Sequence, residues 1–193
     1  MCCPEGAPIR RRGRYTTPLG ARGLHVSHPS GSPSRLGSTI PKLPDLADLA
    51  RAFPQTTIIL NHVGGPVGIG PYKDKKAETF AQWKTGIAEV AKSHNVVVKL
   101  GGLGMTFGMF DFYSREKPPS SSELETAYRP YIETCIGAFG VNRAMFESNF
   151  PPDGASSSYP ILWNAFKRLA AGSSAYEKAM LFSGTAKRVY RLA

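Results

Sequence analysis

The sequence predicts an α/β fold of parallel strands joined by helical crossovers, and three observations carry that expectation. Amphipathic helical stretches alternate with short apolar runs from residue 44 onward, the pattern of repeated β–α units. The runs "IIL" and "VVV" are apolar on consecutive residues, as in strands covered on both faces. The segments entering each strand are short ("PQT", "SH", "GVN"), whereas those leaving are long ("HVGGPVGIGPYKDKK", "GGLGMTFGMFDFYSREKPPSS", "PPDGASSS"). In parallel α/β folds chemistry sits on the leaving loops, at the carboxyl ends of the strands.

"LPDLADLARAFP" spaces Leu46, Leu49, Ala50 and Phe53 as one helical stripe, with Asp45 near the positive end of the dipole and Pro54 as a stop. "TTIILN" is the first strand. "AETFAQWKTGIAEVAKS" is a helix with Phe80, Trp83, Ile87 and Val90 on one face, and "NVVVKLGG" is the second strand. "SSSELETAYRPYIETCIGAFG" opens on serine caps followed by Glu123 and Glu125, and turns Tyr128, Ile132, Cys135, Ile136 and Phe139 inward. Pro130 is expected in a first turn or at a kink. "RAMFESNFP" is the third strand, and "YPILWNAFKRLAAG" and "SAYEKAMLFSGTAKRVYRL" are closing helices separated by Gly172.

At 193 residues the chain suits one domain with a sizeable core, and 41% hydrophobic against 20% charged residues suits a globular protein. No apolar run approaches the length of a membrane span, and "MCCPEGAPIRRRGRYTTPLG" lacks the apolar centre of a secretory leader. Cys2, Cys3 and Cys135 form neither metal spacing nor a disulfide framework, so a reducing, cytoplasmic setting is the expectation. The net charge of +10 invites a nucleic-acid reading, but its distribution argues against one. Six arginines face one acidic residue in residues 1–40, while 18 basic and 13 acidic residues are scattered over the rest without aromatic interleaving or a recognition helix.

Residues 1–40 are rich in Pro, Gly and Ser and lack apolar periodicity. The expectation is a disordered basic arm over 1–40, foreign in texture to the remainder of the chain, and a folded unit over 41–193.

Several side chains at the strand ends could carry chemistry. His62 follows Leu60 at a two-residue interval, so the two share a face and His62 points wherever Leu60 does. The same period puts Glu147 with Asn149 and Lys99 with Gly101, so Lys99 and Glu147 could pair across adjacent strands, as a structural ion pair or as part of a site. Asp153, on the loop after Pro151, reads as a solvated loop carboxylate or a substrate contact; Tyr72, on the glycine-rich loop, reads as a binding group or as ordinary turn chemistry. His94 precedes its strand and reads as structural. "HVGGPVGIG" has neither a Lys-Ser/Thr ending nor GxGxxG before a helix, which excludes a phosphate loop.

"TTIILNHVGGP", "NVVVKLGGLGM" and "MFESNFPPD", in that order and spacing, resemble the last three strands of the amidohydrolase superfamily, in its branch of dicarboxylate lactonases and carboxymuconate-semialdehyde decarboxylases. The resemblance spans about residues 42–193 and implies the carboxyl-terminal portion of a TIM (β/α)8 barrel, truncated to about three strands with their helices. It implies a hydrolase acting on a small carboxylate-bearing lactone, ester or amide, with His62 contacting substrate or metal. At the position of Asn149 it implies a catalytic group, here an orienting one, and the candidate substrate contacts beside it are Tyr72, Lys99, Glu147 and Asp153. The family's His-x-His pair is not matched by His25 and His28, and Asn149 stands where the family carries an aspartate. An amide cannot serve as a general base at neutral pH. The implied cofactor is one divalent metal, zinc, in the full barrel, with His62 its only candidate ligand here, and this chain alone is expected to be inactive or weak. The implied partners are a small-molecule substrate and a second copy pairing through exposed barrel edges. The competing reading is a non-catalytic interaction protein whose basic arm binds nucleic acid or another acidic partner. A self-contained domain of three or four strands with its own function also stays open.

Overall fold

The computed structural model describes residues 42–193 and the backbone of one earlier strand, β1 (Ser34–Leu36). After β1 come α1 (Leu43–Ala52), β2 (Ile58–Leu60), α2 (Lys76–Ala91), β3 (Val96–Leu100), α3 (Ser121–Phe139), β4 (Ala144–Phe146) and α4 (Tyr159–Leu169). The chain closes with α5 (Ala175–Ala179), a π-helical turn over Met180–Gly184 and α6 (Thr185–Tyr190). The strands form one sheet in the order β1-β2-β3-β4, and every pairing is parallel. This is the repeated β–α arrangement read from the sequence, with one further strand. Ser34–Leu36 lies within the segment set apart by composition, and the other residues before Lys42 lie outside the described residues.

The apolar runs became strands because both faces are covered. Ile58, Leu60, Val96, Val98, Leu100, Ala144 and Phe146 join one core with helix residues such as Leu46, Trp83, Ile87, Tyr128, Ile132 and Phe166. Ile59, Val97 and Met145 point to the opposite face, where Val189 of α6 packs on them. Each fully buried aliphatic side chain in such a core contributes roughly 1.5–3 kcal/mol. Aromatic contacts tie the helices together: Trp83 and Tyr131 lie 4.9 Å apart, and Phe146 stacks on Phe166 at 4.6 Å.

The inward stripe of the first helix differs from the sequence reading. The inward stripe of α1 is Leu43, Leu46, Ala47 and Ala50, while Phe53 is 50% exposed. Pro44 sets the helix start, so the stripe is rotated from the one centred on Leu49 and Phe53. Of the two places expected for Pro130 the first turn is excluded, because it stands in the interior of α3. The helix is closed at its start instead by a capping box between Ser120 and Glu123. Cys135 faces the core as a free, fully buried thiol, and burial raises its pKa.

The leaving loops are stitched to one another. Val67 bridges to Gly108, and the Gly68 amide donates to the Phe107 carbonyl at 3.1 Å, joining the β2–α2 and β3–α3 loops. A side chain on Gly68 would come within 2.4 Å of the Gly108 carbonyl oxygen, so the closeness of the two loops requires glycine there.

Candidate functional site

At the carboxyl edge of the sheet two ionisable side chains, His62 and Lys99, meet on the carboxylate of Glu147. Glu147 accepts from the His62 backbone amide at 3.1 Å and sits 2.6 Å from His62 Nδ1 through the same Oε1, while its Oε2 lies 2.8 Å from Lys99 Nζ. The pairing of Lys99 with Glu147 that the period of two suggested is present. The Glu147 side chain is only 10% exposed. Burial by itself raises its pKa, but the hydrogen bond and charge of His62, and then those of Lys99, outweigh burial and hold the carboxyl below its ordinary value. Glu147 accepting from Nδ1–H favours the tautomer that keeps the lone pair on Nε2.

His62 does not arrive by the route the alternation implied. Leu60 belongs to the helix-side core, so an extended continuation would put His62 on that side as well. The backbone turns left-handed instead, at φ 55° for His62 and 47° for Val63, and carries the imidazole to Glu147. A β-branched residue in that region is strained. Trp83 of α2, itself fully buried, anchors the turn by donating from Nε1 to the Val63 carbonyl at 2.7 Å.

The glycines after β3 make room. A Cβ on Gly101 would come within 2.2 Å of the Glu147 carbonyl oxygen, and one on Gly102 (φ 71°) would sit 2.6 Å from Cβ, Cγ and Nδ1 of His62. The imidazole therefore lies against bare backbone.

Asn149 also takes a left-handed conformation, at φ 51°, which asparagine tolerates better than most residues. Its Nδ2 donates to Asp153 Oδ1 at 2.7 Å, which leaves the amide oxygen as its unspent acceptor. Asp153 is no solvated loop carboxylate: it is 1% exposed and accepts from the Gly104 amide at 3.1 Å through Oδ2. Ser156 adds a 2.5 Å bond from Oγ to the Gly104 carbonyl, so Asp153 and Ser156 together lock the β3–α3 loop to the β4–α4 loop. Burial pushes the Asp153 pKa up to about 6, against the lowering influence of Asn149, Gly104 and His62. Tyr72 lines a cavity of about 200 Å³ with Lys75, Glu78 and Gln82 at the start of α2, a different cluster from His62, Glu147 and Lys99. His94 is exposed beside Asn95 at the opposite, amino-terminal edge of β3, as its position before the strand implied.

Sequence reasoning missed Gly102, Trp83 and Asn61. The Asn61 amide oxygen, one residue before His62, is buried without a hydrogen-bond partner among the described residues. The only advance signal was the dense glycine of "GGLG" beside a strand end.

The Amidohydrolase family model matches residues 19–192. The chain belongs to the amidohydrolase family. The match begins inside the segment that composition set apart, and this family member is 40% identical over 151 residues to the uncharacterized protein y4mH of Sinorhizobium fredii. It is 28% identical over 152 residues to an L-fucono-1,5-lactonase of Burkholderia multivorans. Each alignment covers 78% of this amidohydrolase chain but only 44% and 48% of the respective relative. Two crystal structures of an amidohydrolase from Burkholderia multivorans match with TM-scores of 0.70 and 0.69 at 27% and 26% identity. They cover 82% of this chain and about half of the other, and the second holds zinc. The fold is thus that of about half of an amidohydrolase barrel.

The described residues of this amidohydrolase do not by themselves fit a metal centre. No three His, Cys, Asp or Glu side chains among them converge on one point, and His62 Nδ1 is engaged by Glu147, so Nε2 is the single ligand they offer. No described helix is long and apolar enough to cross a membrane.

Proposed function

We propose that the His62–Glu147–Lys99 chain is the proton-handling part of a hydrolytic site for a small carboxylate-bearing lactone, ester or amide. The observation that carries this reading is the 2.6 Å contact between Glu147 and His62 Nδ1, which fixes the tautomer and directs basicity to Nε2. In this reading Nε2 takes a proton from water as the water oxygen bonds to the carbonyl carbon. The same proton then passes to the departing alkoxide as the acyl–oxygen bond breaks, giving the ring-opened hydroxy acid. Lys99 balances the second Glu147 oxygen and keeps that carboxylate ionised. The Asn149 amide oxygen, its Nδ2 held by Asp153, orients the attacking water or a substrate hydroxyl. The likeness to an L-fucono-1,5-lactonase supports a lactone as substrate.

The chain spans less than half of that lactonase, so low activity is expected of it alone. The test is proton release from L-fucono-1,5-lactone and a panel of carboxylate-bearing lactones, with His62 followed by NMR. The expected result is slow turnover that His62→Ala lowers by about 100-fold, with the His62 resonances shifting on addition of lactone. Turnover indistinguishable from buffer together with unmoved His62 resonances would overturn the reading.

A further inference from the structure

A second cavity, of about 530 Å³, opens between the β3–α3 and β4–α4 loops. We propose that it is a binding site for the anionic group, carboxylate or phosphate, of a small ring-bearing molecule, and that it is distinct from the site at His62.

Its size is that of a small-ligand site, and its walls have the mixed character such sites show. Phe112, Phe150 and Tyr159 supply aromatic faces, with Phe150 and Tyr159 edge to face at 5.2 Å. Among the described residues Arg115 is the one charged residue in the lining, and none of them brings a carboxylate to it. The Arg115 guanidinium lies 4.5 Å above the Phe112 ring and 3.2 Å from Glu123 Oε1. That ion pair is solvent-exposed on both sides, the kind an incoming anion displaces at little cost.

Helix α4 begins in the cavity. Its N-cap Ser158 makes no side-chain capping bond, whereas α3 and α5 are closed by capping boxes. Pro160 has no N–H, so the Tyr159 and Ile161 amides are the donors that α4 keeps available to an anion, with its positive dipole. Ser157 is independent evidence. It is 5% exposed and lines the cavity, its backbone amide is spent on the Asp153 carbonyl, and its hydroxyl has no partner among the described residues. On the cavity wall, that hydroxyl is available to hydrogen-bond a bound group. In β/α barrels generally, the loops after the last two strands, with a short extra helix, frequently hold a phosphate. Here the 3₁₀ turn Pro152–Ala155 occupies that place.

The experiment is calorimetry and amide NMR at low salt with benzoate, phenyl phosphate, inorganic phosphate and the neutral benzyl alcohol. Both aryl anions are expected to bind and to compete with each other. They should shift the Ser157, Ser158 and Tyr159 amides and outcompete inorganic phosphate, while benzyl alcohol leaves those amides unmoved. Comparing benzoate with phenyl phosphate identifies which anion the site prefers. Arg115→Ala, a surface change, should weaken binding by about tenfold or more. Glu123→Gln, which retains a capping side chain, should tighten it by releasing Arg115. His62→Ala should leave binding unchanged, which separates this proposal from the hydrolytic reading. Silent amides with all three anions, equal binding of benzyl alcohol, indifference to Arg115→Ala, or loss of binding with His62→Ala would each overturn it.

Discussion

Gly102→Ala tests whether the imidazole depends on the bare backbone beneath it. The residue sits at φ 71°, where a side chain costs about 1–2 kcal/mol, partly offset by the ~0.4–1 kcal/mol that alanine gains by restricting the unfolded chain. The larger effect is steric. A Cβ would stand 2.6 Å from Cβ, Cγ and Nδ1 of His62. These atoms are the root of the side chain, so the ring cannot swing clear without leaving Glu147. Losing that charge-assisted bond costs roughly 1.5–3 kcal/mol, which brings the net loss to about 2–4 kcal/mol. Urea unfolding at neutral pH measures it, and imidazole NMR shows whether the Nδ1 proton is still held. Gly137→Ala is the control: nothing lies within 4 Å of a Cβ there, inside α3, so it should stabilise by roughly 0.5–1 kcal/mol. In a His62→Gly background, which removes Cβ together with the ring, the Gly102→Ala cost should shrink toward the backbone contribution alone. A cost that persists undiminished in that background would refute the steric account.

Three further outcomes are expected. Asp153, with a folded pKa of about 6 against an ordinary 3.8, keeps its proton in the folded chain over a range where the unfolded chain has released it. Its contribution therefore falls as pH rises from about 4 to 6, by up to ~3 kcal/mol, and is flat above; pH-dependent unfolding should lose that slope in Asp153→Asn, and an unchanged slope would count against it. Glu147 has the opposite sign, because its folded pKa is lowered: its stability is present above the unfolded value and lost as pH falls through the folded one. Lys99→Met should move that loss to higher pH and cost about 3 kcal/mol at neutral pH, which acid titration of the two proteins would show or exclude. Strands β1 and β4 each pair on one side only within the described sheet, and unpaired strand edges template association, so sedimentation should show a concentration-dependent dimer; a monomer at every concentration would sink that expectation.

The architecture was legible because it rests on burial of contiguous apolar runs. Ile58–Leu60 and Val96–Leu100 could be read as two-sided strands before any coordinates, and short entering against long leaving loops located the edge where His62, Lys99 and Glu147 meet. Strand β1 was not legible. Ser34, Arg35 and Leu36 form the sheet's edge and pair through backbone register with Ile58, Ile59 and Leu60, and backbone pairing leaves no signature in side-chain composition. Phe53 was misassigned for a related reason, since helical periodicity alone cannot choose between stripes one residue apart. Asp153 looked solvated because its loop is polar, and its burial follows from tertiary contacts with Gly104 and Asn149 that no local pattern announces.

The site shows where sequence alternation stops being informative. Lys99 and Glu147 follow the period of two because their backbones stay in the ladder, with the Glu147 amide still donating to the Leu100 carbonyl at 3.2 Å. His62 belongs to the other parity and reaches the same carboxylate only because its chain turns left-handed under the anchor of Trp83. Trp83→Phe isolates that dependence. It removes the Nε1 donor, leaves the buried Val63 carbonyl unpaired at a cost of about 1–3 kcal/mol, and releases the strain the anchor opposes. The imidazole should then leave Glu147, which its NMR tautomer signature reports, while Lys99 stays paired because its strand does not depend on the turn. A Trp83→Phe protein with full stability and an unmoved imidazole would show that the left-handed turn holds itself, and that Trp83 serves the core alone.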